Sequence, residues 1–133
     1  MTYSTNMRSA TNRHFRDAEM LFGGGHFDNA GYHYGFSAEC ALKGAMQRTG
    51  LRVDEVEING RPAYYRHFPE LKRISLEYAG RLSQAVATIL MSTQFLQGWD
   101  VKMRYSSDHE ISKIECQRWR TQVQEFNNKC GGI

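Results

Sequence analysis

The sequence predicts an all-α protein, an antiparallel up-and-down bundle of four to five helices. Three observations lead there. Apolar residues recur at three- and four-residue spacing over most of the 133-residue chain. Glycines and capping residues bound the stretches so marked. Strand-like text is confined to one short segment. A chain of this length holds one hydrophobic core, so residues 1–133 read as a single domain, with a core from about 6 to 127, a loop over 51–66 and a tail over 128–133.

Met7, Ala10, His14, Ala18 and Leu21 give a first helix over about 6–22, stopped by Gly23, Gly24 and Gly25. No strand precedes this glycine run and no Gly-Lys-Ser/Thr follows it, so it reads as a helix stop and not as a phosphate loop. A second helix, capped by Asp28 or Asn29, extends to Gln47 or Arg48. Its seam of Ala30, Tyr34, Ala38, Ala41 and Ala45 is small enough for close helix approach and predicts the central helix of the bundle. Glu39 and Lys43 stand i,i+4 in the favourable order. Val53 to Ile58 with the turn pair Asn59-Gly60 allows a hairpin, but a long ordered loop is the expected form. Pro69 opens a third helix carried by Leu71, Ile74 and Tyr78, and Leu82, Val86, Ile89 and Leu96 resume the period beyond Gly80. The expectation is one helix, broken or kinked near Gly80. The last helix, about 108–127, has an apolar stripe of Cys116, Trp119, Val123 and Phe126, broadened by Ile111 and Ile114. That stripe is a candidate for part of a homodimer interface.

Seventeen basic residues face fourteen acidic ones, a net charge of +3, which permits an anionic partner without demanding one. Cys40, Cys116 and Cys130 are odd in number and show no C-x-x-C spacing, which argues against a disulfide framework or zinc site and for a reducing, cytoplasmic setting. Cys40 is expected in the core, and Cys130 as a free thiol in the tail. The N-terminus lacks the features of a signal peptide, and no apolar run approaches membrane-spanning length. His14, His26 and His33 share no metal-ligand spacing, so neither a metal nor a cofactor is expected.

The most informative pair is Arg104 and His109, an Arg-x4-His spacing. Ser107 and Glu110 form an S-x-x-E capping signature, which would place His109 in the first turn of the last helix and Arg104 just outside it. Unpaired N–H groups there disfavour an imidazolium, while Asp108 and Glu110 act oppositely. Arg104 is suited to a phosphate, or alternatively to a salt bridge with Asp100 or Asp108 that pins the loop. Lys102 is a candidate second phosphate contact. Tyr105 either stacks on a base or packs onto the core. His67 reads as a capping or core-edge residue.

Taken in order, "GGHFDNAGYHYGFSAECALKGAMQ", "RHFPELKRI" and "WDVKMRYSSDHEIS" before a closing helix resemble the HEPN domain family. The likeness covers about residues 8–126 and includes an Ala-Glu-x-x-Leu-Lys stretch at Ala38 to Lys43 and a His-x-x-x-Leu lead-in at His67 to Leu71. It implies a compact helical bundle and two kinds of function. Many members are metal-independent ribonucleases of toxin or defence type, with an Arg-x4-6-His motif at a homodimer interface, matched here by Arg104 and His109. Others bind nucleotide, RNA or protein without chemistry, often beside a nucleotidyltransferase partner. Two departures from the active pattern are visible. Tyr105 follows the motif arginine where a polar residue is usual, and Ile111 stands where the antitoxin-paired branch tends to have tyrosine. If the chain is an enzyme, the resemblance implies attack of a ribose 2′-hydroxyl on its own phosphate, with a second histidine supplied by the dimer.

Overall fold

A computed structural model describes residues 3–50, 57–58, 61–62, 65–77 and 82–131, and among these the chain forms five α-helices and, before the last of them, a 3₁₀ turn. The helices are α1 (Met7–Gly23), α2 (Phe27–Arg48), α3 (Glu70–Leu76), α4 (Gln84–Met91) and α5 (Lys113–Lys129); the 3₁₀ turn is Val101–Tyr105. Glu57–Ile58 and Arg61–Pro62 pair as a minimal antiparallel ladder, too short to form a layer of the fold. The Val53–Val56 text, the Asn59-Gly60 turn and the Gly80 break lie outside the described residues.

Local chemistry sets the helix ends. The Asn6 side chain accepts the Ser9 N–H at 2.9 Å and starts α1. Gly25, at φ +80°, takes a conformation that other residues rarely hold, and it turns the chain into α2. The short link makes α1 and α2 a helical hairpin, and their cross-contacts run in opposite directions. Ser37 Oγ donates to the Thr11 carbonyl (2.8 Å), His33 meets His14, and the Tyr34 hydroxyl donates to Glu19 (2.7 Å). Asn127 Nδ2 in turn donates to Ser37 Oγ at 2.9 Å, so a buried polar chain crosses all three long helices.

The predicted seam of α2 is buried, and α2 is central, as its small residues imply. The closest approach, however, uses two glycines. A Cβ at Gly35 would lie 2.0 Å from Cε2 of Trp99, and one at Gly31 would lie 2.8 Å from Cζ3 of Trp119. Trp99 Nε1 donates to the Gly31 carbonyl at 2.9 Å, which satisfies the indole in an otherwise apolar place. Both tryptophans therefore seat on a glycine notch one turn long.

The third helical region is broken into two helices, as expected, but the two do not continue in line. Lys72 Nζ donates to the Ser92 carbonyl and the Phe68 ring lies 5.9 Å from that of Phe95, so α3 and α4 fold back on each other as a hairpin. Ser83 caps α4 afresh, accepting from the Val86 N–H at 3.2 Å. The helix ends at Met91, short of Leu96, where Ser92 turns extended (ψ 127°), and Leu96 (φ +53°) and Gly98 (φ +85°) then turn the chain again. His67, just before α3, meets Glu39 in mid-α2, while Leu82 and Val86 lie by Ala45 and Arg48. α3 thus runs with α2, and the strict up-and-down alternation is broken there.

The last helix also corrects the sequence reading. Cys116, Trp119, Val123 and Phe126 are buried against the chain's own core, so this stripe is not left over for a dimer interface. Ile114 does not broaden it, being 83% exposed. Cys130 is not in a free tail: it caps α5, is buried, and its carbonyl accepts from Arg48 Nη2. Cys40 is buried as expected. Among the described residues, no helix is long and apolar enough to cross a membrane.

Candidate functional site

The Arg-x4-His segment folds otherwise than its capping signature suggests. Helix α5 opens at the next S-x-x-E, where Ser112 Oγ accepts the Glu115 N–H at 3.1 Å. Ser107 and Glu110 keep one weak half of a box, with the Ser107 N–H donating to Glu110 Oε1 at 3.3 Å. His109 is therefore not helical. It sits at φ +64°, a strained left-handed position for a non-glycine residue. The cause is tertiary: the Asp28 carboxylate, in the first turn of α2, accepts the N–H of His109 at 2.6 Å and of Ile111 at 2.9 Å. Asp28 is thus a loop anchor and not a cap, and His26 occupies the capping position with no side-chain cap bond.

Arg104 comes from the 3₁₀ turn, which Asp100 starts by accepting the Lys102 N–H at 2.8 Å. The groups that act on the Arg104 guanidinium are Tyr32 and Tyr105, and neither Asp100 nor Asp108 is among them. The guanidinium lies 5.0 Å from the centre of the Tyr105 ring. The hydroxyl of Tyr32, then the charge and hydroxyl of Tyr105, hold the guanidinium above its ordinary value. Tyr105 does not pack onto the core; it is 77% exposed.

Arg104 and His109 line one cleft of about 320 Å³ at the head of α2. His26, Asp28, Ser106 and Asp108 also face it. The cleft therefore offers a guanidinium, two imidazoles, hydroxyl groups and two carboxylates. Such a set can hold a phosphodiester and move a proton. Lys102 and Tyr105 do not line it but stand exposed on the same 3₁₀ turn, flanking Arg104. His26 was missed as a site residue because it is 83 positions from His109 and sits in text that reads only as a helix stop.

Two further histidine groups lie away from this cleft, and His67 stands at the core edge, where its sequence context put it. His67 is anchored on Glu39, its Nδ1 lying 3.0 Å from both carboxylate oxygens. Glu39 is fully buried; burial raises its carboxyl above the usual range, while His67 and Lys43 pull it back. His14 and His33, unrelated by spacing, meet with their Nδ1 atoms 3.2 Å apart. Among the described residues no group of three or more His, Cys, Asp or Glu is arranged to hold a metal ion.

No family model, curated protein or solved structure matches this chain.

Proposed function

We propose that the chain is a HEPN-like domain that acts on RNA, taking a backbone phosphate in the cleft at the head of α2 and cleaving it without a metal ion. The supporting observation is that Arg104 and His109, five residues apart, line the same cleft. His109 takes the proton from a ribose 2′-hydroxyl as its oxygen forms a bond to the adjacent phosphorus. The bond from phosphorus to the 5′-oxygen breaks, leaving a 2′,3′-cyclic phosphate and a 5′-hydroxyl. Arg104 faces the charge that grows on the phosphate oxygens. His26, in the same cleft, gives the leaving oxygen its proton, a role that the resemblance alone would assign to a dimer partner. Exposed Tyr105 stacks on a neighbouring base, and Lys102 contacts the next phosphate.

A second reading is non-catalytic binding of RNA or a nucleotide beside a partner such as a nucleotidyltransferase. The exposed Arg104–Tyr105 stack favours it, since a cationic aromatic platform holds nucleic acid whether or not a bond breaks. The homodimer belongs to both readings and must use a face other than the α5 stripe. Sedimentation across micromolar concentrations tests it, and a lone 15.3 kDa species would remove it.

The deciding experiment incubates RNA in EDTA with the wild type and with Arg104→Ala, His109→Ala and His26→Ala, scoring both cleavage and binding. Cleavage by the wild type that falls ~10²–10⁴-fold in His109→Ala supports the catalytic reading. Binding without cleavage, weakened in Arg104→Ala, supports the second. Cleavage that persists undiminished in Arg104→Ala and His109→Ala overturns the assignment of the site.

A further inference from the structure

We propose that a second cleft, between the start of α1, the middle of α2 and the His67 segment, binds a small organic anion that carries a flat apolar ring. This cleft, about 430 Å³, is larger than the one holding Arg104 and His109, and the two share no lining residue. Its volume is that of a small-ligand site.

The lining is charged on one side only. Arg13 and Lys43 face it, with His67, and among the described residues no aspartate or glutamate lines it. The balancing carboxylates sit elsewhere. Glu39 is fully buried and engaged by both His67 and Lys43, and Asp17 acts on His14 and His33. Lys43 is 6% exposed, an expensive place for an ammonium unless something compensates it. Glu39 supplies that compensation from inside the fold, while burial lowers the ammonium from its ordinary value, and Lys43 lines the floor of the cleft. Arg13 supplies a fixed positive charge on the rim; its field reaches both His14 and Cys40. The α1 N-terminus closes the same wall and carries no acidic residue in its first turn.

Aromatic rings form much of the opposite wall, and small and polar residues at the start of α1 complete the lining. Phe36 stands between two imidazoles, 5.1 Å from His14 and 5.9 Å from His67, and Tyr65 and Tyr3 line the mouth. Aromatic rings beside the Arg13 guanidinium and the Lys43 amine select a ring bearing phosphate or carboxylate over either an inorganic anion or a neutral ring.

Phenyl phosphate and inorganic phosphate are the probes, titrated into the full chain by calorimetry. The expected result is saturable binding of one phenyl phosphate per chain, about tenfold or more tighter than inorganic phosphate. Arg13→Ala, at an exposed position of α1, should weaken it about tenfold, while Arg104→Ala leaves it unchanged. Lys43→Met is the sharper variant, and circular dichroism checks its fold because it strips Glu39 of a partner. No saturation at millimolar phenyl phosphate, or equal affinity for the two probes, overturns the proposal. So does binding that Arg104→Ala abolishes and Arg13→Ala spares, which assigns the ligand to the other cleft.

Discussion

The Asp28 carboxylate holds the backbone of His109, accepting its N–H at 2.6 Å while the other oxygen takes that of Ile111 at 2.9 Å. One side chain on α2 thereby fixes a loop 81 residues away in sequence, and with it the position of the motif histidine. Asp28→Ala should release the 106–112 loop. Charge-assisted hydrogen bonds contribute ~1.5–3 kcal/mol each, and partial exposure lowers that here, so a loss of about 1–3 kcal/mol is expected in urea unfolding. Amide exchange at His109 and Ile111 should accelerate in the variant while the buried face of α2 stays protected. Unchanged exchange at those two amides would show that the anchor is not Asp28.

His109 adopts φ +64°, which glycine reaches without penalty. His109→Gly should therefore leave stability within about 0.5 kcal/mol of the wild type, whereas His109→Ala keeps the strain of a Cβ at positive φ. Both remove the imidazole. If this group serves the RNA chemistry proposed, the two variants lose activity alike while differing in thermal midpoint. Activity retained in either one would separate His109 from the chemistry.

Gly35 meets the Trp99 indole at a distance no Cβ tolerates. Overpacking of this kind costs ~1–3 kcal/mol or more, so Gly35→Ala should lower the urea midpoint markedly. Trp99→Phe should restore part of the loss in the Gly35→Ala background by opening the notch, although it also leaves the Gly31 carbonyl without its indole donor. Double-mutant analysis of the four proteins measures that coupling. Additive effects would mean that the two residues do not share the contact.

Local pattern made the helices legible, and long-range contact made the rest invisible. The α2 seam, the glycine stop after α1 and the α5 stripe follow from spacing alone, because each depends on residues within a few turns. The sequence marks two S-x-x-E signatures in a row, at Ser107 and Ser112, and cannot choose between them. Asp28 chooses, by taking two N–H groups that an earlier helix start would have needed. The same holds for the α3–α4 fold-back, where one periodic text fits either a kinked helix or a hairpin until Phe68 meets Phe95. Arg104 and His109 were visible as a motif. His26, in the same cleft, and the Glu39–His67 pair were not, since packing alone brings them together.

His14 and His33 make stability depend on pH. Burial, foremost, lowers both imidazoles below the ordinary 6.5, and the two rings further disfavour charge on His14. The folded state then binds fewer protons than the unfolded chain as the pH drops through 6.5, so the pair's contribution is full above that value and is lost below it. Glu19 acts in the same direction at lower pH. Its bond from Arg120 holds the carboxyl below 4.5, and that stability is lost as the pH falls through the lowered value. Glu39 opposes them: burial raises its carboxyl, so its contribution declines as the pH rises from 4.5 through the raised value. Two imidazoles with one sign against one carboxylate leave acid destabilisation as the net expectation between neutral pH and about pH 5. Urea midpoints measured across that window should fall for the wild type and fall less for His33→Leu, which keeps a similar volume and removes one titrating ring. A wild-type midpoint that is flat, or that rises toward acid, would show that Glu39 outweighs the histidine pair.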